Sequence, residues 1–164
     1  MNIFYLSDDP RKCAEYHCDK HVVKMIVETA QLLSSAHHLS GTESEKLYKL
    51  THSNHPCAIW TRQSVQNYEW LVRLGLELCK EYTRRYKRRH KTQDVIEWCH
   101  KHTPELPHIG FSCPPQAMPE EYRGKDCIVA YKKYYVGEKS RFAVWKYSRV
   151  PRWYISKTKR KKIK

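Results

Sequence analysis

Glu28, His21 and Lys24 are the first residues whose types and spacing suggest chemistry. They lie in the stretch Cys13 to His38, CAEYHCDKHVVKMIVETAQLLSSAHH. At the 3.6-residue helical repeat, His17, His21, Lys24, Glu28, Gln31 and Ser35 fall within about a quarter turn of one another. From Val22 onward nearly everything else is apolar: Val22, Val23, Met25, Ile26, Val27, Ala30, Leu32, Leu33 and Ala36. A surface helix has a narrow apolar stripe and a broad polar face. Here the narrow stripe is the polar one. Such a helix is mostly buried and carries one line of titratable groups into a cleft. A half-buried Glu between His and Lys can do acid/base work there. The same residues also read as a solvated i,i+4 pair of Lys24 and Glu28.

Metal chemistry is the competing use of this stretch. Cys13, His17, Cys18 and His21 are possible ligands, as are Cys99, His100 and His102 further on. His17 and His21, four apart, would share a helix face as zinc-binding pairs do. A catalytic metal on His17, His21 and Glu28 is therefore an alternative. No paired C-x2-C spacing occurs anywhere, and the expectation is a protein without a metal or cofactor. No G-x-S-x-G, Walker or dinucleotide signature is present, so acyl transfer and nucleotide hydrolysis lack support.

The elements that must position these residues follow from patterning. Asn2 to Ser7 reads as extended. Asp8, Asp9 and Pro10 are helix-start chemistry. One long helix is expected from there to about His38, stopped at Ser40-Gly41. Thr42 to Leu50 has a short helical pattern. Thr51 to Pro56 is a loop in which Pro56 holds His55 extended. Its His52, Asn54 and His55 could line the site, or Ser53 and Asn54 could serve the turn alone. Cys57 to Arg89 reads as a second long helix, with the seam Val65, Tyr68, Val72, Gly75, Cys79, Tyr82 and Tyr86. It ends in Arg84, Arg85, Lys87, Arg88, Arg89 and Lys91, denser than a helix C-terminus needs, which favours phosphate contact. A shorter helix spans Thr92 to His102. Prolines 104, 107, 114, 115 and 119 mark a long loop of the kind that often carries function. Helical patterning resumes from Asp126 to about Lys146, with an interruption at Gly137. An aromatic segment, Val150 to Ile155, precedes Lys157 to Lys164, where six of eight residues are basic.

Composition sets the partner. The chain has 164 residues, 40% of them hydrophobic, with a net charge of +14 and a pI near 9.5. It is long enough for one domain with a workable core. The cationic excess points to a polyanion, and nucleic acid fits better than membrane because no apolar run approaches about 20 residues. The first apolar run, Ile3 to Leu6, is too short for a secretory signal. Seven cysteines without such a signal suggest reduced thiols in a cytoplasm-like compartment. Twelve tyrosines and five tryptophans supply core and stacking surfaces.

These residues resemble the phage pyrimidine-dimer DNA glycosylase/AP lyase family, the endonuclease V type. Asp19-Lys-His21, six residues and then Glu28, followed by an aliphatic run to His37-His38, is similar to that family's first helix. Pro119-Glu-Glu-Tyr-Arg-Gly124, Gly137-Glu-Lys139 and Val150-Pro-Arg-Trp-Tyr154 echo later family motifs in the same order. The resemblance implies that a free N-terminal amine attacks C1′ of the damaged nucleotide. The base leaves, an imine forms, and a buried Glu assists sugar opening and β-elimination. An α-amine suits the task, with a reference pKa near 7.7–8.0 against about 10.4 for Lys. The sequence also departs from the family. Asn2 stands where a small residue is usual, and Met removal usually spares Asn, so the amine would be that of Met1. Val27 and Gln31 stand where the family has arginines. Another lesion or a modified base could be the target.

The expected fold is all-α: a single compact helical domain of three to five helices, residues 1–156, with a long Pro-rich loop and a basic tail, 157–164, as a mobile arm. The expected function is excision of a damaged or modified pyrimidine from double-stranded DNA by a cytoplasmic monomer (host cytoplasm for a viral protein). The catalytic residues are Met1, Asn2, His21 and Glu28. The DNA contacts are Lys20, Lys24, Gln31, His55, Arg84, Arg88, Arg123, Lys139, Arg152, Trp153 and Tyr154. The alternatives are a metal-dependent nuclease or hydrolase on His17, His21 and Glu28, and a non-catalytic nucleic-acid binding module.

Overall fold

A computed structural model describes residues 1–155, and among them every regular element is helical. Helix α1, Pro10–Tyr16, starts as its sequence demands: Asp9 caps it by accepting the Arg11 N–H at 2.9 Å, and Pro10 occupies the first turn. The expected long helix then breaks. His17 and Cys18 are extended, with ψ of 133° and 162°, and α2 begins afresh at Asp19. Distant groups take the backbone at the break. Arg85 donates to the carbonyls of His17 (2.8 Å) and Glu15 (3.1 Å), Cys18 N–H donates to the Tyr135 hydroxyl (3.0 Å), and Asp19 N–H donates to Val144 O (2.9 Å). Local periodicity has no access to such partners.

Helix α2, Asp19–Leu39, ends before Gly41, whose φ of +79° suits glycine. Thr42 to Leu50 forms turns rather than the expected short helix. The Tyr48 backbone is committed to α2, its N–H donating to Ser34 Oγ at 3.1 Å and its carbonyl lying 2.8 Å from His38 Nε2. The second expected long helix is also two: α3, Pro56–Gln63, and α4, Val65–Tyr86. Ser64 between them is extended. Its Oγ caps α4 through Asn67 N–H, and Val65 N–H is taken by Pro107 O of the long loop. Lys87, with φ of +56°, closes α4.

Helix α5 is Gln93–Lys101 and α6 is Cys127–Tyr134. Between them the Pro-rich loop lies on the core, with Ser112 bonded to Asn67 and Trp60, and ends in a tight helical turn at Glu120–Tyr122. Helix α6 runs into a wider helical turn, Tyr135–Lys139, and stops there rather than near Lys146. Any side chain at Gly137 would strike the Tyr122 ring.

The described residues thus form six α-helices in one compact all-α domain, one more than the upper expectation, because both long helices are interrupted. Helices α2 and α4 form the centre. The predicted seam of α4 is buried as far as Tyr82. At Gly75 a Cβ would come within 3.0 Å of Thr29 and 3.1 Å of Ile96, so glycine lets α2, α4 and α5 close together. Ile3 to Leu6 thread through this core fully buried. All seven cysteines are free thiols. The basic arm expected at 157–164 lies outside the described residues.

Candidate active site

The chain start is tied to α2 by one short contact. Asn2 N–H donates to Glu28 Oε2 at 2.9 Å. Asn2 itself is held on every side. Its Nδ2 donates to Ala117 O (2.9 Å), and its Oδ1 accepts from Ile3 N–H (2.8 Å). The Tyr131 hydroxyl lies 2.9 Å from that same Oδ1 and 2.6 Å from Pro115 O, sharing its proton between them. The long loop therefore helps to locate residue 2.

Met1, Asn2, His21 and Glu28 all line one cavity of about 400 Å³. Lys20, Lys24 and Lys139 border it too. The Glu28 side chain is only 11% exposed and pairs with Lys24 at 3.2 Å. His21 is stacked on Phe4, ring centroids 4.4 Å apart. The Tyr135 hydroxyl accepts the Cys18 N–H at 3.0 Å and shares a hydrogen bond with His21 Nδ1 at 2.7 Å, which fixes the imidazole ring in place. Burial, then the charges of His17, Lys139, Lys24 and Lys20, push this imidazole far below its ordinary range. His21 is a neutral imidazole in the cavity wall.

His55 caps α3, its Nδ1 accepting Cys57 N–H at 3.1 Å. Burial, the charge at the chain start and His52 push it down, and Glu28 pulls it back, so this ring stands within electrostatic reach of the site. Gln31 lies one turn beyond Glu28, half-buried.

Other expected DNA contacts sit elsewhere. Arg84, Arg152 and Trp153 meet in a second, larger cavity of about 950 Å³ that shares no lining residue with the first. Arg84 is paired there with Glu81 at 2.6 Å. Tyr154 packs on Trp145, ring centroids 4.7 Å apart. Arg88 donates to the Tyr82 hydroxyl (2.9 Å), and Arg123 to Met118 O (3.0 Å), bracing the long loop. Within the α4 run, Arg85 is fully buried and Arg89 pairs with Asp94 and Glu97.

Phe4, Ala117, Tyr134, Arg141 and Phe142 were not anticipated, yet they line the Glu28 cavity. Arg141-Phe142, just after the Gly-Glu-Lys motif, was the available signal in the sequence.

The metal alternative loses its ligand set. His17 and His21 do not share a helix, because the chain breaks between them. His17 is wholly buried, its Nδ1–H donating to Cys13 O at 2.7 Å, and burial holds it down to about 4. Among the described residues no group of three or more His, Cys, Asp or Glu is arranged to hold a metal. No helix among them is long and apolar enough to cross a membrane.

A protein-family model described as pyrimidine dimer DNA glycosylase matches residues 1–94, more than half of the chain. The chain belongs to the pyrimidine dimer DNA glycosylase family. The match includes Asn2, His21 and Glu28, which line the cavity, and His55, which lies within electrostatic reach of it. It stops short of Arg123, Lys139 and the aromatic segment at 150–155, so the glycosylase family signal resides in the α1–α4 half that carries the carboxylate. No curated protein and no solved structure matches the chain.

Proposed function

We propose that this member of the family excises a damaged or modified pyrimidine from double-stranded DNA and nicks the strand by β-elimination through an imine. The observation that carries the proposal is the hydrogen bond from Asn2 N–H to Glu28 Oε2, which sets the chain start against a buried carboxylate in a cation-bordered cavity.

The amine attacks C1′, the C1′–N bond breaks, and the base leaves with the electron pair. Loss of a proton from nitrogen and opening of the sugar give the imine. In this reading Glu28 takes the amine proton and returns it to the sugar oxygen. Abstraction of a C2′ proton then expels the 3′ phosphate. The nucleophile is the α-amine of Met1, with the immobilised Asn2 orienting it. The nitrogen that Glu28 holds belongs to residue 2, so a chain lacking Met1 would present that same nitrogen as the amine.

Borohydride trapping on a duplex with one cyclobutane pyrimidine dimer tests the reaction. A covalent protein–DNA adduct is expected, and mass spectrometry of its first peptide names the amine. Acetylating the terminus, or adding a residue before Met1, should abolish the adduct, whereas Lys24→Ala should keep it. A terminus that can be blocked without effect would overturn the mechanism.

A further inference from the structure

Phe142 lines the Glu28 cavity and gathers two cations on its ring. Lys20, in the first turn of α2, places its Nζ 5.0 Å from the ring centre, and Arg141, from the segment after α6, places its guanidinium carbon at 5.9 Å. The His21 ring meets the Phe142 ring edge-on, centroids 5.3 Å apart. Lys139, which lines the same cavity, sits over the Tyr134 ring at 4.5 Å and donates to its hydroxyl at 3.1 Å. Among the described residues, Lys20, Arg141 and Lys139 have no carboxylate partner, whereas Lys24 is paired with Glu28. Unlike Arg73, Lys80 and Arg84 along α4, which pair with glutamates, these three are held against aromatic rings.

The segment that carries Arg141 and Phe142 is itself anchored. Phe142 N–H and Ala143 N–H both return to Lys139 O, at 3.1 and 2.8 Å, and Lys146 N–H donates to the buried Asp19 carboxylate at 2.6 Å. Two like charges from separate segments, brought to one ring, repel each other unless an anion lies between them. The ring quadrupole attracts both and fixes where they stand.

We propose that Lys20 and Arg141, seated on Phe142, form a clamp for one backbone phosphate of the DNA strand that enters the Glu28 cavity. Phe142 is a positioning residue, and Lys20 and Arg141 make the contact. This rests on the reading that the cavity takes DNA; it adds Arg141 and Phe142 to the expected contacts and gives Lys20 a ligand group. Lys139, on its own ring, takes a neighbouring phosphate of the same strand.

The test is equilibrium binding to a duplex carrying a tetrahydrofuran abasic analogue, which cannot form an imine, at a series of salt concentrations. Each phosphate that is no longer neutralised lowers the log–log salt slope by about 0.9. Lys20→Ala and Arg141→Ala should each flatten the slope, and because both serve one phosphate the double variant should fall short of the sum. Phe142→Leu should weaken binding and flatten the slope with both cations still present, and Phe142→Tyr should restore it. Turnover on damaged DNA should show the loss in KM rather than kcat. An unchanged slope in Arg141→Ala and Lys20→Ala overturns the clamp, even if Phe142→Leu does not fold. A normal slope in Phe142→Leu overturns the role of the ring. Wild-type protein that shows the clamp's salt signature but no borohydride adduct would instead remove the imine chemistry and leave the clamp standing.

Discussion

Arg85 and Asp19 form an ion pair at 3.1 Å, with the arginine side chain fully buried and the aspartate 9% exposed. The same guanidinium donates to Glu81 at 2.9 Å and to two carbonyls at the α1–α2 break. One member of a run that reads as phosphate-binding is thus the joint between α4 and the start of α2. Arg85→Ala leaves the Asp19 carboxylate buried without its charge partner, which costs about 3–5 kcal/mol. The melting temperature should drop by roughly 10 °C in a calorimetric scan. Arg88→Ala, at the surface, should change stability by less than about 0.5 kcal/mol.

Glu28→Gln retains an oxygen that can accept the Asn2 N–H but removes the base. It should fold normally, keep its affinity for DNA and lose strand nicking by about 10²–10⁴-fold. Single-turnover nicking and binding to the same duplex decide the matter. Nicking at the wild-type rate would take Glu28 out of the mechanism.

Deleting Lys157 to Lys164 removes six basic residues. Binding should weaken on all sequences alike, and the salt slope should flatten by about 0.9 for every phosphate the arm had neutralised. A truncated chain with the full slope would show that the arm does not touch DNA.

Acid should destabilise the fold through its buried imidazoles. Burial holds His17 and His37 down to about 4 from an ordinary 6.5, and His21 lower still. Between these values the unfolded chain binds more protons than the folded one. The stability is therefore complete above about pH 6.5 and declines as pH falls toward 4. His17 contributes on the order of 3 kcal/mol across that window, and His37 adds to it in the same direction. Urea unfolding at pH 7.5, 6.0 and 5.0 should give a steadily falling midpoint. A midpoint constant over that range would contradict the assignment of neutral buried histidines.

Short-range chemistry determined a good deal of this protein from sequence alone. The all-α class follows from 3.6-residue periodicity. The α1 start at Asp9-Pro10, the stop at Gly41 and the buried seam of α4 follow from capping, backbone freedom and patterning within a few residues. The Glu28 stripe was legible because an almost wholly apolar helix with one polar line has to be buried. The breaks at His17–Cys18 and Ser64 could not be read, since each is stabilised by groups from remote segments: Arg85, Tyr135 and Val144 at the first, Pro107 at the second. For the same reason tertiary structure put a helix break between His17 and His21 and divided the basic residues into a buried joint, surface pairs and a cavity lining. A wheel records direction along one helix, whereas desolvation and charge pairing depend on what the rest of the chain brings alongside. Only the folded chain, by carrying Ile3 to Leu6 through the core, could bring Asn2 to Glu28.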